Sequence, residues 1–261
     1  INELTVSSTY APCTTRPLRM VSKSPPIKLP ACGAWVHQKI STHSYPNTPM
    51  HSSNQYTNMQ RSAYAPGTTN HLEHNDNPDY WKVLLGPISG SAWDGKRALD
   101  FACGKGRNVA NLHTLAKWKS VDGIDLSQAN IDYCRQFSTH STPSQWYVAS
   151  GTDLQPIADH TYDFVMSTIA LQHIPVYDIR RSILSDILRV LVPGGLLSFQ
   201  MGFGLDLSDP YGRPKSGYFD NALTASGTNS EHDVRVQSEV VLVDDLREMG
   251  YIDIQCTIRP S

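Results

Sequence analysis

The chain has 261 residues, 39% of them hydrophobic, and a formal net charge of −2, which is enough apolar content to bury one good-sized core. A pI near 6.6 offers no general attraction to nucleic acid or to an anionic membrane, and no apolar run approaches the roughly 20 residues a membrane span requires. Cys13, Cys32, Cys103, Cys134 and Cys256 are odd in number, widely spaced and without a C-x-x-C, which reads as reduced thiols of a cytoplasmic protein. They make neither a disulfide frame nor a metal site.

Residues 1–62 differ in texture from the rest. They are rich in Ser, Thr, Pro and Asn, hold Glu3 as their only acidic residue, and scatter Arg16, Arg19, Lys23, Lys28, Lys39 and Arg61 among short apolar groups. Such a stretch buries too little apolar area to offset its ordering entropy, so a low-complexity, disordered extension is expected here. Its composition also suits an organelle transit peptide, but the chain opens on Ile1 and Met59 is a plausible start. Residues 63–261 are expected to form one α/β domain.

Within that domain Asn77 is a good N-cap and Pro78 suits the first helical position. Trp81, Leu84 and Leu85 share a face, and Gly86-Pro87 stops the helix. Ala98 to Cys103 is an apolar run of strand type. Gly104 and Gly106 then supply a turn, and Val109, Leu112, Leu115 and Ala116 follow at helical spacing. A strand, a glycine turn and a helix in that order present unpaired N–H groups beside bare backbone, which is a binding device. A dinucleotide fingerprint would want a third glycine where Val109 stands.

Ser120 to Asp125 reads as the second strand, and Ser127 caps a helix carrying Ile131, Cys134 and Phe137. Asp125 lies at the strand's carboxyl end, where open α/β sheets bind ligands, and a carboxylate there can accept both hydroxyls of a ribose. Trp146 to Ala149 is the third strand and Tyr162 to Thr168 the fourth. A helix with Ile179, Ile183, Leu184, Ile187, Leu188 and Leu191 facing inward follows, and Pro193-Gly194-Gly195 turns into a fifth strand, Leu196 to Met201. The polar stretch 202–237 has the length of a substrate lid. A helix from Leu242 to Met249 ends at Gly250, and Ile252 to Ile258 forms the last strand.

Asp100, then Ala102, Gly104 and Gly106 in three glycine slots, resembles motif I of the class I S-adenosylmethionine-dependent methyltransferases, with alanine departing from the pattern at the first slot. Asp163-Phe164-Val165 and Arg189-Val190-Leu191-x-Pro193-Gly194-Gly195 resemble later motifs of that family, and the resemblance covers residues 78 to 258. It implies a doubly wound, Rossmann-like, mostly parallel sheet with helices on both faces, and S-adenosylmethionine as cofactor. The methionine end would lie near Asp100 and Gly104, the ribose on Asp125, and the adenine beside Asp153 or the backbone of Gly151. Leu126, Leu154 and Thr168 complete the implied set with Ala102 and Gly106. Transfer to a small-molecule O or N acceptor is the implied reaction, with no nucleic acid or membrane partner and a homodimer left open.

Methyl transfer is an in-line displacement that needs positioning more than a triad, and a base only where the acceptor carries a proton. His173, following the fourth strand, is the candidate base; His71, His74, Tyr218 and His232 reach that space only if their segments fold over it. A non-catalytic cofactor-binding protein and a nicotinamide-dependent oxidoreductase are the alternatives, the latter disfavoured by Val109. The family's sheet carries a seventh, antiparallel strand between its fifth and sixth, and no residues remain after Ile258 to supply one. Either Asp233 to Gln237 fills part of that gap or the chain is truncated at its C-terminus, the second being the stronger expectation.

Overall fold

The computed structural model describes residues 2–10, 84–85, 88, 90–138, 143–174, 177–203, 235–236 and 239–259. The strands are β1 (Asn2–Tyr10), β2 (Arg97–Phe101), β3 (Ser120–Asp125), β4 (Trp146–Val148), β5 (Tyr162–Ser167), β6 (Leu191–Phe203), β7 (Arg235–Val236) and β8 (Tyr251–Arg259). The helices are α1 (Arg107–His113), α2 (Gln128–Phe137), α3 (Tyr177–Val190) and α4 (Glu239–Met249), with short 3-10 turns at Ser91–Trp93 and Leu171–His173. None of these helices is long and apolar enough to cross a membrane.

The sheet runs β4-β3-β2-β5-β6-β1-β8. Strands β2 to β6 are mutually parallel, whereas β1 is antiparallel to both β6 and β8. Alternation along the strands divides the core in two. Ala98, Phe164 and Met166 meet Val109 and Leu112 of α1, Ile131 of α2 and the buried pair Leu84 and Leu85 on one face. Leu99, Val165, Leu197 and Phe199 meet Ile183 and Ile187 of α3 and Leu242 and Leu246 of α4 on the other. This is the expected doubly wound arrangement, and its order reverses between β2 and β5, so the crevice for a ligand opens at the carboxyl ends of those two strands. Asp163 ties their opposite ends together, accepting from the Arg97 backbone N–H at 2.9 Å while Lys96 Nζ lies 3.1 Å from its other oxygen.

Two expectations are corrected. Residues 2–10 do not belong to a coreless extension: Leu4 and Val6 are fully buried among Phe199, Met201 and the α4 face. The period-2 pattern of Leu4, Val6 and Ser8 is what a strand between two others requires, and a composition averaged over 62 residues concealed it. The place between β6 and β8 is filled by this same strand, with Leu4 opposite Met201 on one side and Ile258 on the other. The gap therefore need not be met by Asp233 to Gln237 or by residues past the chain's end. Arg235–Val236 instead pairs parallel with Gly202–Phe203 of β6. Because β1 occupies the other side of those residues, β7 lies beyond the end of β5, on the rim above the crevice. Residues 11–62, the helix expected from Asn77 and most of the stretch 202–237 lie outside the described residues.

Since Leu4 is enclosed on both sides of its strand, Leu4→Ala should cost about 2–5 kcal/mol of unfolding free energy. Urea denaturation checks this; an unchanged midpoint would put β1 outside the cooperative unit.

Candidate active site

The site begins with the turn after β2. At Gly106, the N-cap of α1, φ is 84° and an added Cβ would come within 3.0 Å of the Trp146 ring. Conformation and packing both exclude a side chain there. Gly104 has φ 53° and nothing within 4 Å of where a Cβ would be, so it leaves bare backbone facing open space. Its N–H donates to Asp125 Oδ2 at 2.9 Å. The other oxygen of Asp125 accepts from the Ser127 N–H at 2.8 Å and from Asn130 Nδ2 at 3.2 Å. Ser127 caps α2 as expected, its hydroxyl accepting from Asn130 N. Asp125 thus joins the turn of one strand to the helix following the next.

Asp100 is fully buried, and among the described residues neither of its oxygens has a hydrogen-bond partner. Burial pushes its carboxyl up to about 8; the Asn108 amide beside it lowers it in part, Asp125 raises it further and Arg107 lowers it. Asn108 lies close enough to ease ionisation yet gives its own hydrogen bond elsewhere, donating Nδ2 to Thr168 Oγ1 at 2.7 Å. Burial also raises Asp125, against the lowering effect of the N–H groups it accepts. Thr168 is buried just past β5, so the Asn108–Thr168 bond spans the point where the strand order reverses.

Two non-glycine residues have left-handed backbones beside this bond: Ala102 with φ 60° after β2 and Ile169 with φ 51° after β5. Each costs about 1–2 kcal/mol. Ala102 is the residue in the first glycine slot, so the position keeps the backbone that glycine favours without having glycine. Such strain gathers where a site requires a particular backbone.

The remaining expected residues fall on the same rim with unequal connections. Leu126 is half-buried between Asp125 and Ser127. The Ala149 N–H donates to Asp125 O at 2.9 Å, bringing the end of β4 to this rim. In the turn beyond, Asp153 Oδ1 accepts from Ser150 Oγ and from the Gln155 N–H. Leu154 is fully buried on the α3 face and its N–H donates to Asp186 Oδ2 at 2.6 Å, so its side chain supports the rim from below. His173 ends the 3-10 turn Leu171–His173 with its N–H donating to Ala170 O at 2.9 Å. Tyr80, Trp81, His71, His74, Tyr218 and His232 lie outside the described residues.

Asn108 was not singled out from the sequence. Its signal was nevertheless present: it stands four residues before Leu112, on the buried face of α1, and a polar residue on an apolar face at the start of a glycine-capped helix calls for a partner. The two buried thiols of Cys103 and Cys134 were also passed over; both are directed at the Gly104 carbonyl, at 3.6 and 3.4 Å.

The strand order, the glycine turn and the carboxylate after β3 together give the Rossmann-like fold found in class I methyltransferases. Residues 99–199 match the methyltransferase domain family. Over 130 residues the chain is 29% identical to a phthiotriol/phenolphthiotriol dimycocerosates methyltransferase of Mycobacterium tuberculosis, covering 49% of this chain and 46% of that protein. Over 107 residues it is 33% identical to an O-methyltransferase of Aspergillus nomiae, covering 40% and 45%. The chain spans less than half the length of these curated relatives. A chain of the complex between the Haloferax volcanii Trm112 methyltransferase activator and its methyltransferase superposes with a TM-score of 0.50 at 19% identity, over 73% of this chain and 75% of that one, which supports the fold.

Because folding raises the Asp100 pKa from 3.8 to about 8, the folded chain binds this proton more tightly than the unfolded one. The resulting stabilisation is complete below about pH 4 and is lost as pH rises toward 8. Asp100→Asn should therefore unfold at a higher urea concentration than the unaltered protein at pH 8.5, with the advantage shrinking by pH 5. Parallel pH dependences in the two proteins would contradict the burial of an uncompensated carboxyl.

Proposed function

We propose that this chain binds S-adenosylmethionine in the crevice over β2 and β3 and transfers its methyl group to a small-molecule acceptor, at oxygen or nitrogen. The observation that carries the reading is the Gly104 turn: bare backbone opening on space, its N–H held by one buried carboxylate and flanked by a second whose oxygens lack partners among the described residues. Such a cradle fits a ligand with a cation at one end and a pair of hydroxyls further along. Asp100 faces the cation and Asp125 the hydroxyls, while Asp153 suits an exocyclic amino group. Thr168, Leu126 and the turn at Ala102 and Gly106 enclose the ligand between them.

The cofactor supplies a methyl group on a sulfonium whose leaving group is already activated. What falls to the protein is alignment and exclusion of water. The Aspergillus relative is named an O-methyltransferase, which favours a hydroxyl acceptor. A hydroxyl must lose its proton as it reacts, and the position of His173 at the end of the turn after β5 supports it as the base. The net charge of −2 agrees with a small acceptor in place of a nucleic acid.

Production of S-adenosylhomocysteine from S-adenosylmethionine in the presence of a panel of hydroxylated and aminated metabolites is the deciding measurement. Cofactor binding with no turnover on any acceptor would support a non-catalytic binding protein instead. Asp125→Asn should weaken cofactor binding by about 1.5–3 kcal/mol, roughly ten- to a hundredfold, since a charged acceptor of hydrogen bonds is lost; calorimetry showing unchanged affinity would remove Asp125 from the site. His173→Ala should lower turnover on the true acceptor and flatten its pH profile while leaving cofactor affinity in place. A rate and profile like those of the unaltered enzyme would return His173 to a packing role.

A further inference from the structure

Asp100, Asn108 and Thr168 come from three elements, β2, α1 and the segment after β5, and meet where the strand order reverses. The Asn108 amide is committed to Thr168 at 2.7 Å. The carboxyl of Asp100 is fully buried, and among the described residues nothing donates to either of its oxygens. A charged carboxylate without donors is costly in such a place, whereas a protonated one is tolerated. The groups that act on it are Asp125 from β3, which opposes its charge, and Arg107 from α1, which favours it. Cys103, in the turn after β2, is itself held in the thiol form by burial, then by Cys134 and the nearby Asp125 and Asp100, so it presents no charge. These neighbours do not supply the compensation a fixed negative charge would need.

We propose that Asp100 carries a proton in the cofactor-free protein and releases it when the ammonium of the cofactor's methionine end arrives, so that cofactor binding is coupled to loss of a proton at this position. This rests on the cofactor reading above. No bond other than O–H is broken: the carboxyl proton passes to solvent and the carboxylate pairs with the incoming cation. Asn108 is a positioning residue in this scheme, since its bond to Thr168 ties the start of α1 to the segment after β5 on either side of the carboxyl. The elevated pKa, about 8, agrees with proton retention at neutral pH.

The test is titration calorimetry with S-adenosylhomocysteine, which keeps the ammonium and cannot turn over. Measurements at pH 6.5 keep the ligand's amine charged, and buffers of different ionisation enthalpy report the protons exchanged. Close to one proton released per molecule bound is expected, with affinity tightening by up to about tenfold per pH unit between pH 6 and 7. Asp100→Asn should bind more weakly and release none. Binding without any buffer dependence would overturn the proposal and leave the cofactor reading standing, whereas absence of binding would remove both. Equal proton release by Asp100→Asn would move the proton to another group and defeat the assignment. Should that variant fail to fold, the buffer and pH series on the unaltered protein still decide the matter.

Discussion

The bond from the Gly104 N–H to the Asp125 carboxylate holds the site together. It joins the loop after β2 to the end of β3, and through Ser127 and Asn130 the same carboxylate fixes the first turn of α2. One side chain thereby sets the spacing between two strand ends and the helix that follows. Glycine is needed on the donor side because the backbone is left-handed and the space beside it must remain open. An aspartate is needed on the other side because a neutral acceptor could not serve three donors across two oxygens as strongly.

Around that bond the protein accumulates features that oppose stability. Two buried carboxyls lie close together, Asp125 adding to the rise that burial imposes on Asp100, and two non-glycine residues hold left-handed backbones at the ends of neighbouring strands. Each is unfavourable in isolation and together they amount to several kcal/mol. They persist because the surrounding sheet, with apolar layers on both faces, is stable enough to impose them. Arrangements of this kind are preorganised for a ligand that relieves them.

Much of this was legible in the residues. The order of strands β2 to β6 and their helices followed from apolar runs and glycine turns, and the C-terminal end of β3 at Asp125 was marked by the Ser127 cap that follows it. Asp125 stood out because a carboxylate at a strand's carboxyl end has few structural reasons to be there. The N-terminal strand was missed for an equally physical reason. Asn2 to Tyr10 is short and mildly apolar, and its partners lie at the far end of the chain, so nothing local distinguishes it from the polar stretch behind it. Asn108 escaped notice because its importance comes from Thr168, 60 residues away in sequence, and single-residue patterns do not report such pairs. Leu154 shows the converse. A place beside the ligand rim was legible, but not the direction of its side chain, which turns into the core.

The position of β1 has a consequence for how the protein is made. On the ribosome β1 is made before β6 (Leu191–Phe203) and β8 (Tyr251–Arg259), and it must wait for both before it is paired on its two sides. Until then Leu4 and Val6 remain exposed, and β6, once formed, keeps an open edge. The parallel strands can assemble outward from β2 as they appear, but the antiparallel side of the sheet closes only after β8 has been made.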